Sequence, residues 1–368
     1  MSEASHASYE SAGVDYEILD AAKRAAMAAA AQTSLNAERL GAVVDDRSRG
    51  ESAVVISVGE ERLGFVLECL GTKSMIASRY LAETGIDRFD AIGYDTVAAV
   101  VNDCCCVGAL PFVVNAYFAT GAATFYEGSR HASLVAGFRR GCDDAGAAWG
   151  GGESPTLSGL VDPAEIDLAG SAVGRIPTGV APIVGDRLSE GDEIVVICSS
   201  GLHANGASLV RMVADELPNG LQTQLGSGRS FGEAILDPAV IYVRLVEALL
   251  LASVDVHYLS HITGHGLRKL MRADVDFTYH LTQLPEVPEA LSFLATEAGL
   301  SAHEAYGTLN MGAGFAVYVP KGIGEQVVSV ARANGLRALV AGVVMNGARA
   351  VILEPIGVSF SSEELELR

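Results

Sequence analysis

The segment Ser199–Gly206 (SSGLHANG) gathers two hydroxyls, an imidazole and a carboxamide between a strand pattern and a helix pattern. Ahead of it, Ile194–Cys198 is a run of β-formers; behind it, residues 207–213 space their apolar positions as a helix does. Ser199–Gly201 lets the backbone turn tightly. Uncommitted N–H groups at the helix start, helped by the dipole, would bind an anion there, with His203 and Asn205 adding side-chain donors. An ordinary strand–turn–helix fits the same pattern.

Carboxylates are the second resource, because Mg2+ takes oxygen ligands. Glu68 and Asp103 each stand where a regular element meets a loop, though a surface or capping role also suits each one. Lys73 follows Gly71 and Thr72, so its ammonium would meet either a phosphate or solvent. GxxxxGK[ST] is absent, which removes a Walker A loop. Gly150–Gly152 with Glu153 would bring backbone close to a ligand or form a flexible turn. HITGHG at His261–Gly266 sets Thr263 and the amides around Gly264 near a ligand. His203, His261 and His265 lack the matched Cys or carboxylate spacing of a metal site, and GxSxG is missing.

Positioning these groups requires a sizeable scaffold, and 368 residues with 49% hydrophobic content suit two domains. The net charge of −20 argues against binding nucleic acid but leaves a phosphorylated small molecule open. The first 15 residues are polar without an apolar core, and no charge-free stretch has transmembrane length, so neither a leader nor a membrane span is expected. Six cysteines, three of them consecutive at Cys104–Cys106, form no CxxC pair and suit reduced thiols in a cytoplasmic protein.

The patterning predicts helices over residues 20–32 (with Asp20 as N-cap), 94–107, 131–145, 207–213, 238–251 and 325–334. Strands are expected over 54–57, 63–67, 111–119, 167–175, 194–198, 254–260, 339–344 and 350–354. Residues 33–52, 68–73, 149–158 and 217–233 read as loops, and residues 1–10 as frayed. Pro177, Pro182 and several glycines accumulate over 176–192, which places a boundary between residues 1–176 and 177–368. The fold class is α+β (mixed α/β) in two domains of similar size.

The order of the motifs resembles the aminoimidazole ribonucleotide synthetase (phosphoribosylformylglycinamidine cyclo-ligase) family from Ser8 to about Glu354. SYESAGVDYE at Ser8–Glu17 is similar to the family's SYxxAGVD, and ECLGTK at Glu68–Lys73 stands where the family has DGVGTK. YDTVAAVVNDCCCVGALP, YFATG, GGE at Gly151–Glu153 and DLAGSAVG follow in the expected order. SSGLHANGASLVR is similar to SSGxHSNGxSLVR, HITGHG to HxTGGG, and GTLNMGAGF to RTFNxGVGM.

The resemblance implies an N-terminal domain, residues 1–176, that binds ATP and pairs in a homodimer through a shared β-barrel. It implies a C-terminal α/β sandwich, residues 177–368, that completes the cleft. It implies the cofactors ATP and Mg2+ and a phosphorylated small-molecule substrate. Carried over by position, Glu68 and Asp103 would hold Mg2+–ATP, with Gly71, Thr72 and Lys73 at its phosphates and Gly151, Gly152 and Glu153 lining the nucleotide. Ser200, Gly201, His203, Asn205, Thr263 and Gly264 would hold the substrate or the transferring phosphoryl group, with His203, Asn205 and Lys73 as catalytic groups.

Five departures stand out, one of them Ala204 where the family has Ser. Glu68 replaces the family's Asp, Cys69 and Leu70 replace Gly and Val, His265 replaces a glycine, and Lys23 is a loose counterpart of a lysine that approaches ATP. The implied activity is ATP-dependent closure of the aminoimidazole ring. The alternatives are activation of a different carbonyl or amide oxygen, or a non-catalytic nucleotide-binding paralogue.

Overall fold

The computed structural model describes residues 16–365; the SYESAGVD motif and residues 1–10 lie outside the described residues. In the first half, helix α1 (Tyr16–Ala31) precedes strands β1 (Ala42–Asp45), β2 (Val54–Val58) and β3 (Glu61–Cys69). Helices α2 (Lys73–Thr84) and α3 (Phe89–Cys105), strand β4 (Leu110–Thr120), helix α4 (Ser129–Ala145) and strands β5 (Ala148–Glu153) and β6 (Ile166–Arg175) follow. The sheet order is β1-β2-β3-β6-β4-β5, antiparallel except for the parallel β4–β5 edge.

The second half opens with β7 (Glu193–Cys198), α5 (Ala207–Glu216), α6 (Phe231–Ile235), α7 (Val243–Leu251), β8 (Tyr258–His261) and β9 (Phe277–Leu281). It closes with α8 (Glu289–Glu297), α9 (Ala302–Thr308), β10 (Ala313–Val319), α10 (Gly324–Ala333), β11 (Ala338–Asn346), β12 (Ala350–Leu353) and β13 (Val358–Ser361). Its seven strands run β13-β12-β9-β11-β7-β10-β8, and only β12–β9 is parallel. The molecule is therefore a mixed α/β protein with two sheet-bearing domains, as the patterning predicts.

Helix α3 is apolar nearly all round and is buried accordingly. It packs against α4 at van der Waals closeness because glycines face the contact. A Cβ on Gly93 would stand 2.0 Å from Leu134 O, and one on Gly137 would stand 1.8 Å from Asp90 O. Cys104, Cys105 and Cys106 are buried free thiols that serve as small apolar groups. The halves are joined by buried polar bonds: Asn102 Nδ2 donates to Val240 O and its Oδ1 accepts from Tyr242 N–H, both at 2.8 Å.

Several local expectations fail for identifiable reasons. The expected loop over 33–52 holds a 3-10 turn (Ser34–Leu40) and strand β1, whose four residues gain their partners only through β2. Asp20 lies inside α1 rather than capping it. Glu68 and Cys69 finish β3, and Lys73 opens a helix that the loop reading of residues 68–73 hides. The expected glycine loop at Trp149 is strand β5: a Cβ on Gly152 would lie 2.1 Å from Ala116 O, so the glycines serve strand packing rather than a flexible turn. Residues 217–233, expected as loop, lead into α6, where Phe231 is fully buried. Tyr306 lies in α9, which leads through residues 309–312 into strand β10.

Candidate active site

Seven segments meet in one cleft: α1, residues 50–51, the end of β3, the turn Leu70–Thr72, the end of α3, the start of α5, and the stretch that follows β8. They enclose two adjoining cavities, one of about 380 Å3 and one of about 540 Å3. Glu68, Asp103, Asn205 and Thr263 form the shared border. Gly71 and Thr72 line the smaller cavity, and Gly264 and His265 line the larger one.

The smaller cavity is flanked by two helix starts. Thr72 precedes α2 and Gly206 precedes α5; neither end is capped by a side chain, and Thr72, Gly206, Ala207 and Ser208 all line the cavity. First-turn N–H groups without a capping acceptor, reinforced by the helix dipole, attract an anion. The opening segment presents Asn205 and the backbone of Gly206–Ser208 to this cavity.

Two carboxyl groups sit at the border. Asp103 is almost fully buried, and His261 Nδ1 donates to its Oδ1 at 2.6 Å. Burial opposes charge on Asp103, but the His261 bond, with Arg272 and Lys269 nearby, holds its pKa below the ordinary value. Glu68 takes the opposite course: burial, then the Asp103 charge, push it up to about 8. In the free protein at neutral pH this pair carries one proton. Among the described residues no group of three or more His, Cys, Asp or Glu gathers, so an all-protein metal cage is absent there. Two adjacent carboxyls beside a phosphate-sized space match the usual Mg2+ arrangement, in which substrate oxygens and water complete the shell.

Lys73 does not reach this cavity. It is 0% exposed; its Nζ donates to Asp95 Oδ2 at 2.5 Å and to His203 O at 2.7 Å. Asp95 Oδ1 accepts from Ala239 N–H at 2.7 Å. The ammonium expected at a phosphate instead ties α2 and α3 to the second half, because an inward-facing carboxylate in the second turn of α3 captures it.

His203 is also turned inward. It is 3% exposed with a left-handed φ of 58°, and lines neither cavity. Its Nε2 accepts from Ser200 N–H at 3.1 Å, which leaves the proton on Nδ1, where no partner stands among the described residues. Burial, with His261 and Lys73 nearby, holds its pKa well below the usual histidine range. The imidazole is neutral and enclosed, and it braces the loop through the Ser200 amide rather than facing either cavity. Ser200 and Gly201 likewise leave the cavity: Ser200 Oγ donates to Pro238 O at 2.7 Å, and Gly201 O accepts from Asn310 Nδ2 at 2.8 Å.

Gly151, Gly152 and Glu153 lie on the exposed edge strand β5 and line neither cavity in the single chain. Conversely, sequence reasoning passes over His261 as the partner of Asp103, Asp95 as the partner of Lys73, and the cations Lys269 and Arg272 in the larger cavity. A helix-start reading of Gly206–Ser208 points to the backbone donors; nothing in the local spelling of residues 268–272 marks Lys269 as buried.

Residues 50–176 match the family described as AIR synthase related protein, N-terminal domain, and residues 189–353 match its C-terminal domain. A phosphoribosylformylglycinamidine cyclo-ligase of Methanothermobacter thermautotrophicus is 34% identical over 279 residues, covering 75% of this chain and 79% of the relative. The enzyme of that name from Methanococcus vannielii is 30% identical over 335 residues, 91% of each chain. Among solved structures, the hydrogenase maturation protein HypE overlays with a TM-score of 0.60 at 20% identity, covering 81% of this chain and 87% of that one. A HypE structure in complex with ATP gives a TM-score of 0.58 at 21% identity, covering 81% and 83%. These two likenesses concern the fold.

Proposed function

The chain belongs to the AIR synthase related family, and from that premise we propose that it is the ATP-dependent cyclo-ligase that makes aminoimidazole ribonucleotide from formylglycinamidine ribonucleotide. The observation that carries the reading is the carboxyl pair Glu68–Asp103 set opposite two uncapped helix starts in one cleft.

An amide oxygen is a poor leaving group. Its attack on the γ-phosphorus of ATP releases ADP and turns that oxygen into a phosphate ester. The amidine nitrogen of the same molecule then attacks the amide carbon, the ring closes, and the oxygen departs with phosphate. Holding both ends in one cleft makes the closure unimolecular. Thr72, Asn205 and the amides at the starts of α2 and α5, which line the smaller cavity, would hold phosphate oxygens. Glu68 and Asp103 would hold Mg2+, which supplies charge neutralisation for the transferring phosphoryl group. His261 keeps the Asp103 carboxylate oriented and charged. Thr263 and Gly264, at the border with the larger cavity, are placed to meet the ribonucleotide.

We assign the nucleotide and dimerisation role to residues 1–176 and the completion of the cleft to residues 177–368. A homodimer is supported by the uncovered face of the first sheet, where Val58, Phe65 and Leu67 are 44%, 36% and 73% exposed. Pairing of two such sheets would form the β-barrel and bring the β5 edge, with Gly151, Gly152 and Glu153, into an assembly. Among the described residues no helix is long and apolar enough to cross a membrane, and every cysteine is a free thiol; a cytoplasmic location suits the latter.

The test is direct. Formylglycinamidine ribonucleotide, ATP and Mg2+ with the pure protein should yield ADP and aminoimidazole ribonucleotide in equal amounts. ADP release that never yields the aminoimidazole product would move the chain to another substrate.

A further inference from the structure

A buried cation stands beside the carboxyl pair. Lys269 lies in the 3-10 turn Gly266–Met271 and is 8% exposed. Among the described residues its ammonium has no hydrogen bond and no ion pair, yet the side chain lines the 540 Å3 cavity. A buried ammonium without a partner is unfavourable. Burial and the nearby Arg272 guanidinium draw its pKa down to about 8, against the pull of Asp103 and Glu68. Arg272 enters the same cavity and is fixed by Nε donating to Gly50 O at 3.1 Å; Lys23 lines it from α1.

Lys23, Lys269 and Arg272 enter this cavity beside Glu51, Glu68 and Asp103; Glu51 faces Arg272 at 4.0 Å, and Glu68 and Asp103 are already paired at the border. The adjoining 380 Å3 cavity has no Lys or Arg in its wall and offers backbone amides and the carboxyl pair instead. Two anion-binding designs therefore lie side by side. Helix starts with a carboxyl-held metal suit a polyphosphate. A buried ammonium suits a lone phosphate dianion, whose charge compensates its desolvation.

We propose that Lys269 binds the phosphate monoester of the ribonucleotide substrate, which seats the sugar-phosphate in the larger cavity and turns the reacting amide toward the Glu68–Asp103–Thr263 border. The identity of that ribonucleotide rests on the cyclo-ligase reading; the phosphate site does not.

Ribose 5-phosphate is the probe, titrated calorimetrically into the full chain without nucleotide or metal. Lys269→Met should weaken its binding roughly tenfold to a hundredfold. It should raise KM for formylglycinamidine ribonucleotide by a similar factor and leave KM for ATP unchanged. Lys269→Arg should recover most of the affinity. Deleting an unpaired buried charge should raise the melting temperature of the free protein, so loss of binding cannot be put down to misfolding. Failure of the parent protein to bind ribose 5-phosphate, or equal affinity in Lys269→Met, overturns the proposal. So does a rise confined to KM for ATP, which would assign Lys269 to the polyphosphate. Lys269-dependent binding of ribose 5-phosphate without turnover of the ribonucleotide would sink the cyclo-ligase reading and leave the phosphate site standing.

Discussion

Glu68 and Asp103 are side by side but stand in opposite protonation states. Asp103 is kept charged by His261, and Glu68 is pushed up to about 8 by burial and by that charge. The unfolded chain releases the Glu68 proton near the ordinary carboxyl value of 4.5, while the folded protein retains it to about 8. Stability from this group is complete below the lower value and is lost as pH rises through the window to the higher one. The free protein should therefore lose melting temperature across that window, and Glu68→Gln should flatten the slope in calorimetric scans. The same variant should lose turnover roughly a hundredfold or more, since it removes a group facing the transferring charge. Glu68, Asp103, Asn205 and Thr263 are legible in the sequence because each combines a donor or acceptor with an element end. Lys269 is not, because RKLMR spells the start of a helix whose lysine has no assigned face, and only the tertiary fold closes over it.

Among the elements, the starts of α2 and α5 matter most, and what holds them in register is the buried Lys73–Asp95 pair. Lys73 links α2 to α3 through Asp95 and to the loop before α5 through His203 O. Removing one member of a buried pair strands the other charge and typically costs about 3–5 kcal/mol. Lys73→Met should lose stability of that order in denaturant titrations, along with turnover. A lysine that served only a phosphate would instead raise KM for ATP and leave stability unchanged. Long periodic elements such as α3, α4 and β6 can be read from the sequence within a few residues. Strand β5 cannot, because its glycines spell a flexible turn while packing against Ala116 and Val113 dictates an extended edge. The direction of the Lys73 side chain is equally invisible, since its captor lies 22 positions away.

For the whole molecule, the order of motifs is enough to read two halves and a shared cleft, but not how the halves dock. That depends on buried bonds such as Asn102 with Val240 and Tyr242, between residues far apart in the chain. The uncovered face of the first sheet belongs to the same scale. Sedimentation should show a dimer, and Leu67→Asp, placing a charge at its most exposed apolar site on β3, should shift the equilibrium to monomer. The central claim, that the cleft activates an amide oxygen with ATP, is tested most directly by isotope transfer. Formylglycinamidine ribonucleotide labelled with heavy oxygen in its formyl amide is turned over with ATP and Mg2+, and the released phosphate is weighed by mass spectrometry. The account predicts one labelled oxygen in each phosphate formed with the aminoimidazole product; unlabelled phosphate from a completed turnover would contradict it.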